Sequence, residues 1–172
     1  KRAIITSPCF DLSTVTEANF TFKYHMFGST NGGSVDLEVS NDEGATWTSL
    51  WNQTGNQGNQ WLTVNIDLAA YIGGGIQLRF NRITGGTWQS DVAIDDISLT
   101  DGVVTTPSCS GGVTSFPYSQ SFEGSIGDWS QSSADDLNWT VDNNGTPSNG
   151  TGPSNATQGT RYIFVEASGN NT

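Results

Sequence analysis

The sequence has 172 residues, with six Lys and Arg against 17 Asp and Glu, and a formal net charge of −11. That length suits one domain or parts of two, and the charge excludes the clustered cationic surface that nucleic acid or an anionic membrane face requires. No apolar run approaches the ~18 residues of a membrane helix, no signal peptide opens the chain, and the first residue is Lys1, so the chain reads as a piece of a longer protein.

Strand alternation dominates in chain order, and helical periodicity is nearly absent. Residues 18–27 place Phe20, Phe22, Tyr24 and Met26 on one face. Residues 34–39 put Val35, Leu37 and Val39 on one side and charges on the other. Residues 63–68 and 76–80 repeat the pattern, with one helical turn predicted at 68–71. Residues 92–99 form a strand that carries the adjacent carboxylates Asp95 and Asp96. Adjacent strand residues point to opposite faces, so these two do not make a catalytic pair. A linker runs through 103–112, where Gly, Thr and Pro interrupt the pattern. Beyond it, only 118–122 and 161–167 alternate well, and 141–160 is almost wholly Asn, Gly, Thr, Ser and Pro. Residues 113–172 lack the apolar side chains for a core of their own and must pair with something. Short strands separated by Gly and Asn turns predict an all-β, jelly-roll-like antiparallel β-sandwich. Low charge with abundant Gly, Ser, Thr and Asn fits a secreted or cell-surface protein. Cys9 and Cys109 are disulfide candidates; closing a loop of ~100 residues stabilises by up to ~4.7 kcal/mol in the chain-entropy model.

Several motifs carry chemistry. The single histidine, His25, lies inside a strand without a nucleophile motif around it, so the chain is not read as an enzyme. Ser40-Asn41-Asp42-Glu43-Gly44-Ala45-Thr46-Trp47 has the pattern of an Asp-box, a hairpin staple in which Asp42 accepts N–H bonds across the turn. Trp51, Trp61 and Trp88 sit in segments rich in Asn, Gln and Gly, read as loops. An indole stacks on a pyranose face while amides bond its hydroxyls, so these three are glycan-binding candidates. The scarcity of Lys and Arg argues against sulfated glycans. N-x-[ST] sequons occur at Asn19, Asn52, Asn138, Asn144, Asn149, Asn155 and Asn170.

Phe122-Glu123-Gly124, Asp128-Trp129, Asp135-Asp136-Leu137-Asn138-Trp139, Gly152-Pro153, Gly159-Thr160-Arg161-Tyr162 and Glu166-Ala167 resemble the opening half of a MAM domain. Ile5-Thr6-Ser7-Pro8-Cys9-Phe10-Asp11, the 20–27 strand and Asp91-Val92-Ala93-Ile94-Asp95-Asp96-Ile97 resemble its closing half. Residues 1–102 are thus read as the closing half and 113–172 as the opening half, in reversed order. Either the two close on each other as a circular permutant, or 113–172 completes the next unit of a tandem array. The low cysteine number and the Gly/Asn/Thr texture resemble bacterial MAM-like modules. The resemblance implies adhesion, with neighbouring copies as partners and glycans as further ligands; a carbohydrate-binding accessory module of a secreted enzyme is the alternative. It also implies a structural Ca²⁺, or a weaker Na⁺. The ligand pool is Glu123, Asp95, Asp96, Asp128 and Asp135, because the first and last strands of such a fold are neighbours.

Overall fold

The structure is a computed structural model, and it describes residues 1–100, 112–113, 115–143 and 145–167. Cys109 and nearly all of the 103–112 linker lie outside the described residues, as do the sequons at Asn144 and Asn170. Two antiparallel sheets pack face to face. The strands are β1 (Arg2–Thr6), β2 (Phe10–Asp11), β3 (Asn19–Met26), β4 (Gly33–Ser40), β5 (Thr48–Thr54), β6 (Leu62–Asp67), β7 (Gly75–Thr84) and β8 (Val92–Thr100). After the linker come β9 (Tyr118–Gln120), β10 (Ser130–Gln131), β11 (Thr140–Asp142) and β12 (Tyr162–Val165). The expected helical turn is a single 3-10 turn, Ala69–Tyr71.

One sheet runs β10-β1-β7-β4-β5, with β2 also on β7; the other runs β11-β12-β8-β3-β6, with β9 also on β8. Both sheets therefore mix strands from before and after the linker. The segment 115–167 covers one side of β8 through β9 and β12, and one side of β1 through β10.

The alternation read from the sequence decides which faces meet. Phe20, Phe22, Val35, Leu37, Ile76, Leu78 and Phe80 are all buried between the sheets. Phe122, Trp129 and Trp139, from the second segment, fill the same core. Trp129 stacks on Phe80 with ring centroids 5.8 Å apart, and its N–H donates to the Tyr118 hydroxyl at 3.0 Å. Neither segment closes this core without the other.

Two places depart from the expected pattern. Trp51, read as a loop residue, lies within β5, paired with Leu37 and packed on Phe22 and Tyr24. The motif Asp95-Asp96-Ile97 carries a β-bulge, for the β3–β8 register shifts between Thr21 and Lys23 and Asp96 adopts a φ of 52°. The bulge keeps Asp95 inside while Asp96 turns out to an ion pair with Lys23.

The two ends of the described chain lie at one pole of the sandwich. The Lys1 carbonyl accepts the Thr84 N–H, and the Ala167 N–H donates to Asp91. Thr84 and Asp91 flank the single loop that joins β7 to β8. At the opposite pole, Val113 donates its N–H to the Cys9 carbonyl.

Replacing Trp129 by Ala leaves a large cavity at the junction of the two segments. The expected loss is about 3–5 kcal/mol, read as a lower urea midpoint. An unchanged midpoint would show that the second segment does not share the core.

Candidate functional site

The pole that carries the chain ends is built around two buried side chains. Arg82, on β7, is fully buried and donates to the carbonyls of Gly32, Ser34, Ile83 and Ser90. Burial lowers its pKa to about 10, with Asp91 opposing that shift. Asp91, at 1% exposure, accepts the hydroxyls of Thr146 and Thr151 and the Ala167 N–H. Burial raises its pKa, and those three donors pull it back. Ser148 donates to Glu166 at 2.7 Å, so Glu166 belongs to the same oxygen-lined cluster.

Above this cluster, residues 145–161 fold over the outer face of the β12-β8-β3 sheet. Hydrogen bonds to side chains outside it hold this loop. Thr146 and Thr151 bond Asp91; Tyr162 Oη donates to the Pro153 carbonyl at 3.2 Å; Trp61 Nε1 donates to the Asn155 carbonyl at 2.9 Å; and Thr157 N–H donates to Asp95 at 3.0 Å. Gly152 has a φ of 66°, and a Cβ there would fall 2.5 Å from Thr146 Cγ2, so the loop needs glycine at that point. Beneath it Ala93, Tyr162 and Phe164 form a second small core, with Trp61 and Ala156 against them.

His25 is buried on this outer face, with Nε2 3.0 Å from Asn59 Oδ1 and its ring packed edge-on to Trp61. Burial lowers its pKa, so the ring is neutral at physiological pH. Its neighbours are an amide and aromatic rings. The arrangement is that of a packed core histidine and not of a general base.

Four of the five carboxylates expected to share a cation have protein partners of their own. Glu123 accepts the N–H groups of Thr160 and Arg161 together with the Thr160 hydroxyl. Asp95 accepts the N–H groups of Asp96, Thr157 and Gln158. Asp135 accepts the Ile4 N–H, Asp96 pairs with Lys23, and Asp128 lies near Tyr118. Among the described residues no three His, Cys, Asp or Glu side chains are grouped to hold a metal. The oxygen-rich alternative, Asp91 with Glu166 and the Thr146, Ser148 and Thr151 hydroxyls, was visible in the sequence only as single letters of the two motif ends. No spacing rule joins positions 91, 146, 151 and 166; the fold alone does.

Of the glycan candidates, Trp51 packs in the core and Trp61 braces the 145–161 loop from below. Trp88 is 48% exposed. The Asp-box forms as read: Asp42 accepts the Thr46 N–H at 2.8 Å and the Ser40 hydroxyl at 2.7 Å, and Trp47 Nε1 donates to the Gly44 carbonyl. The Thr46 hydroxyl, which also donates to Asp42, lowers the Asp42 pKa to about 2 together with the Ser40 hydroxyl and the Thr46 N–H. Arg79 lies over the Trp47 ring, 4.1 Å from its centroid, while pairing with Glu38. Cys9 is disulfide-bonded.

Fold and site together define an extracellular type of β-sandwich, with polar loops on a rigid frame and no assembled catalytic group among the described residues. The family model "MAM domain, meprin/A5/mu" matches residues 1–109, and the chain belongs to the MAM family. It is 35% identical over 105 residues to MAM domain-containing glycosylphosphatidylinositol anchor protein 1 of Homo sapiens, covering 59% of this chain and 10% of that protein. It is 31% identical over 110 residues to anchor protein 2 of the same type, also human, covering 59% of this chain and 11% of that protein. Zonadhesin of Oryctolagus cuniculus is 30% identical over 86 residues, 50% of this chain and 4% of that protein. The chain thus spans about a tenth, or less, of the length of the curated relatives it matches.

Two outcomes follow. Asp91→Ala leaves the Ala167 N–H without its acceptor, at about 1–3 kcal/mol for a buried group left unsatisfied, while the Thr146 and Thr151 hydroxyls keep the Thr151 and Ser148 carbonyls. Chemical denaturation should show a loss of about 1–3 kcal/mol; a loss under about 1 kcal/mol would remove Asp91 from the role assigned to it. The second outcome concerns pH. Burial holds the Asp95 pKa at about 6, above the ordinary 3.8. Between those values the folded state binds more protons than the unfolded, so this group's stabilisation is full below about pH 4 and is lost as pH rises through about 6. Melting wild type and Asp95→Asn from pH 4 to 7 should give a shallower downward slope for the variant. Parallel slopes would contradict the raised value.

Proposed function

We propose that this chain is a non-catalytic adhesion or structural repeat of a large secreted or cell-surface protein, in which residues 113–167 complete the sandwich begun by residues 1–100. The carrying observation is the interleaving of both sheets. Strands β9, β10 and β12 cover edges of β8 and β1 that residues 1–100 would otherwise leave open. Open edges of that length invite another chain. The complement need not come from the same copy. Residues 1 and 167 sit at one pole, so in a tandem array the second segment of one unit and the first segment of the next can form one sandwich across a short seam. The family match and the named relatives, two of them glycosylphosphatidylinositol anchor proteins, support an extracellular setting. A disulfide at Cys9 fits the same compartment. The family is of the adhesion type, which supports the absence of catalysis.

A hard cation, Ca²⁺ or Na⁺, belongs in this reading to the Asp91–Glu166 cluster, whose donors are all oxygen. Its effect would be structural: it would neutralise two neighbouring carboxylates at the point where the segments join.

Light scattering after size exclusion tests the assembly. Refolding at high concentration should yield species at multiples of 18.3 kDa that persist on dilution. A single species near 18.3 kDa at every concentration would overturn complementation between copies and leave a self-closed module. Chelation should lower the melting temperature of wild type and leave Asp91→Asn unmoved; equal melting with and without chelator would remove the cation.

A further inference from the structure

The loop over the outer sheet borders a cleft of about 390 Å³, lined by Phe27, Asn59 and residues 145–154 except Pro147. That volume lies within the range of small-molecule sites. Nothing in its lining ionises, although the chain carries a net charge of −11. The lining offers amides, hydroxyls, glycine backbone and one aromatic ring.

We infer that this cleft binds a neutral saccharide, with Phe27 as the stacking surface and Asn59 as the principal hydrogen-bonding group. Phe27 is half-buried at the C-terminal end of β3, its ring edge-on to His25 with centroids 6.4 Å apart. Asn59 is exposed, and its Oδ1 is taken by His25 Nε2. A neutral imidazole donating from Nε2 leaves the Asn59 Nδ2 protons for a ligand hydroxyl. The buried histidine thereby sets which way the amide faces, and Asn59 is a binding residue while His25 is a positioning one. Asn149 and Ser154 add exposed polar side chains on the opposite wall. An aromatic face beside amides and hydroxyls matches a pyranose, which has an apolar face and a hydroxyl rim.

The walls are preformed. Thr146 and Thr151 are fixed by Asp91, Pro153 by Tyr162 and Asn155 by Trp61. A loop tied at these points loses little freedom on binding, so the contacts go into affinity. The lack of a cationic side chain in the cleft disfavours uronate or sulfated sugars. Two walls come from residues before the linker and one from residues after it. The cleft therefore exists whether residues 113–167 fold onto their own chain or onto a neighbour's, and its test is independent of the assembly test.

The test is calorimetric titration of the full chain with cellohexaose, maltohexaose, chitohexaose and mannohexaose, and with a heparin hexasaccharide as the anionic probe. At least one neutral hexasaccharide should bind. Phe27→Ala and Asn59→Asp should each weaken it tenfold or more, with a melting temperature near wild type for Asn59→Asp, which keeps an oxygen for His25 Nε2 while losing the Nδ2 protons. Trp88→Ala should leave binding unchanged. Absence of binding by every neutral probe would overturn the inference. So would equal binding by both cleft variants, loss on Trp88→Ala alone, or preference for heparin.

Discussion

A single buried carboxylate fixes how the two segments meet. Asp91 stands at the start of β8, the central strand of its sheet, and all its partners come from residues beyond the linker. Arg82 sits one turn of chain away, clamped to four carbonyls, and so freezes the loop from which Asp91 projects. Isolated charges are costly to bury, and this pair is tolerated because four carbonyls take the Arg82 Nη donors and three donors meet the Asp91 carboxylate. The carbonyl clamp orders the loop ends of β4, β7 and β8; the carboxylate then receives the returning chain. Without it the Ala167 N–H would be a buried donor without its acceptor, the Thr146 and Thr151 hydroxyls would keep only their bonds within the loop, and the loop over the outer sheet would lose its anchor.

The core was legible from the alternation of Phe20, Phe22, Tyr24 and Met26 and of Val35, Leu37 and Val39, because one buried face imposes a period of two. The hairpin at Asp42 was legible for a different reason: its bonds run between residues two to four apart. Strand β5 was not legible, since Thr48–Thr54 is an edge strand with mostly polar side chains, and its two apolar residues, Leu50 and Trp51, are adjacent and show no alternation. Strands β10 and β11 are too short to show a period at all. The five carboxylates of the expected cation pool do not form a group of three among the described residues, for a tertiary reason. Glu123, Asp95 and Asp135 lie where returning backbone presents N–H groups, and each serves as a local acceptor in place of converging. Asp91 and Glu166 were quoted in the motif but carry no local sign of their meeting.

The outer face illustrates how a polar, low-complexity loop acquires a definite shape. Residues 145–161 contain little to bury, yet Tyr162, Phe164 and Trp61 give them a floor, and the Gly152 turn lets Thr146 and Thr151 converge on one oxygen. Trp61, one of the glycan candidates, supports from below the loop that borders the cleft. Its indole N–H is consumed by Asn155, and its ring carries the load of His25 on one side and Tyr162 on the other.

The placement of both described ends at one pole has a mechanical consequence. Tension between residues 1 and 167 acts on β1 and β12 from the same end, where Arg2 faces Ile83 and Val165 faces Val92. Ladder bonds in antiparallel sheets lie across the strands. Such a pull opens them one after another, like a zipper, and does not load them together in shear. A copy closed on itself is then a soft element in a stretched stalk, yielding strand by strand at low force. A copy completed by its neighbour takes the load differently, because the pull then enters and leaves through the linker pole, and the seam at Asp91 is carried inside the folded body.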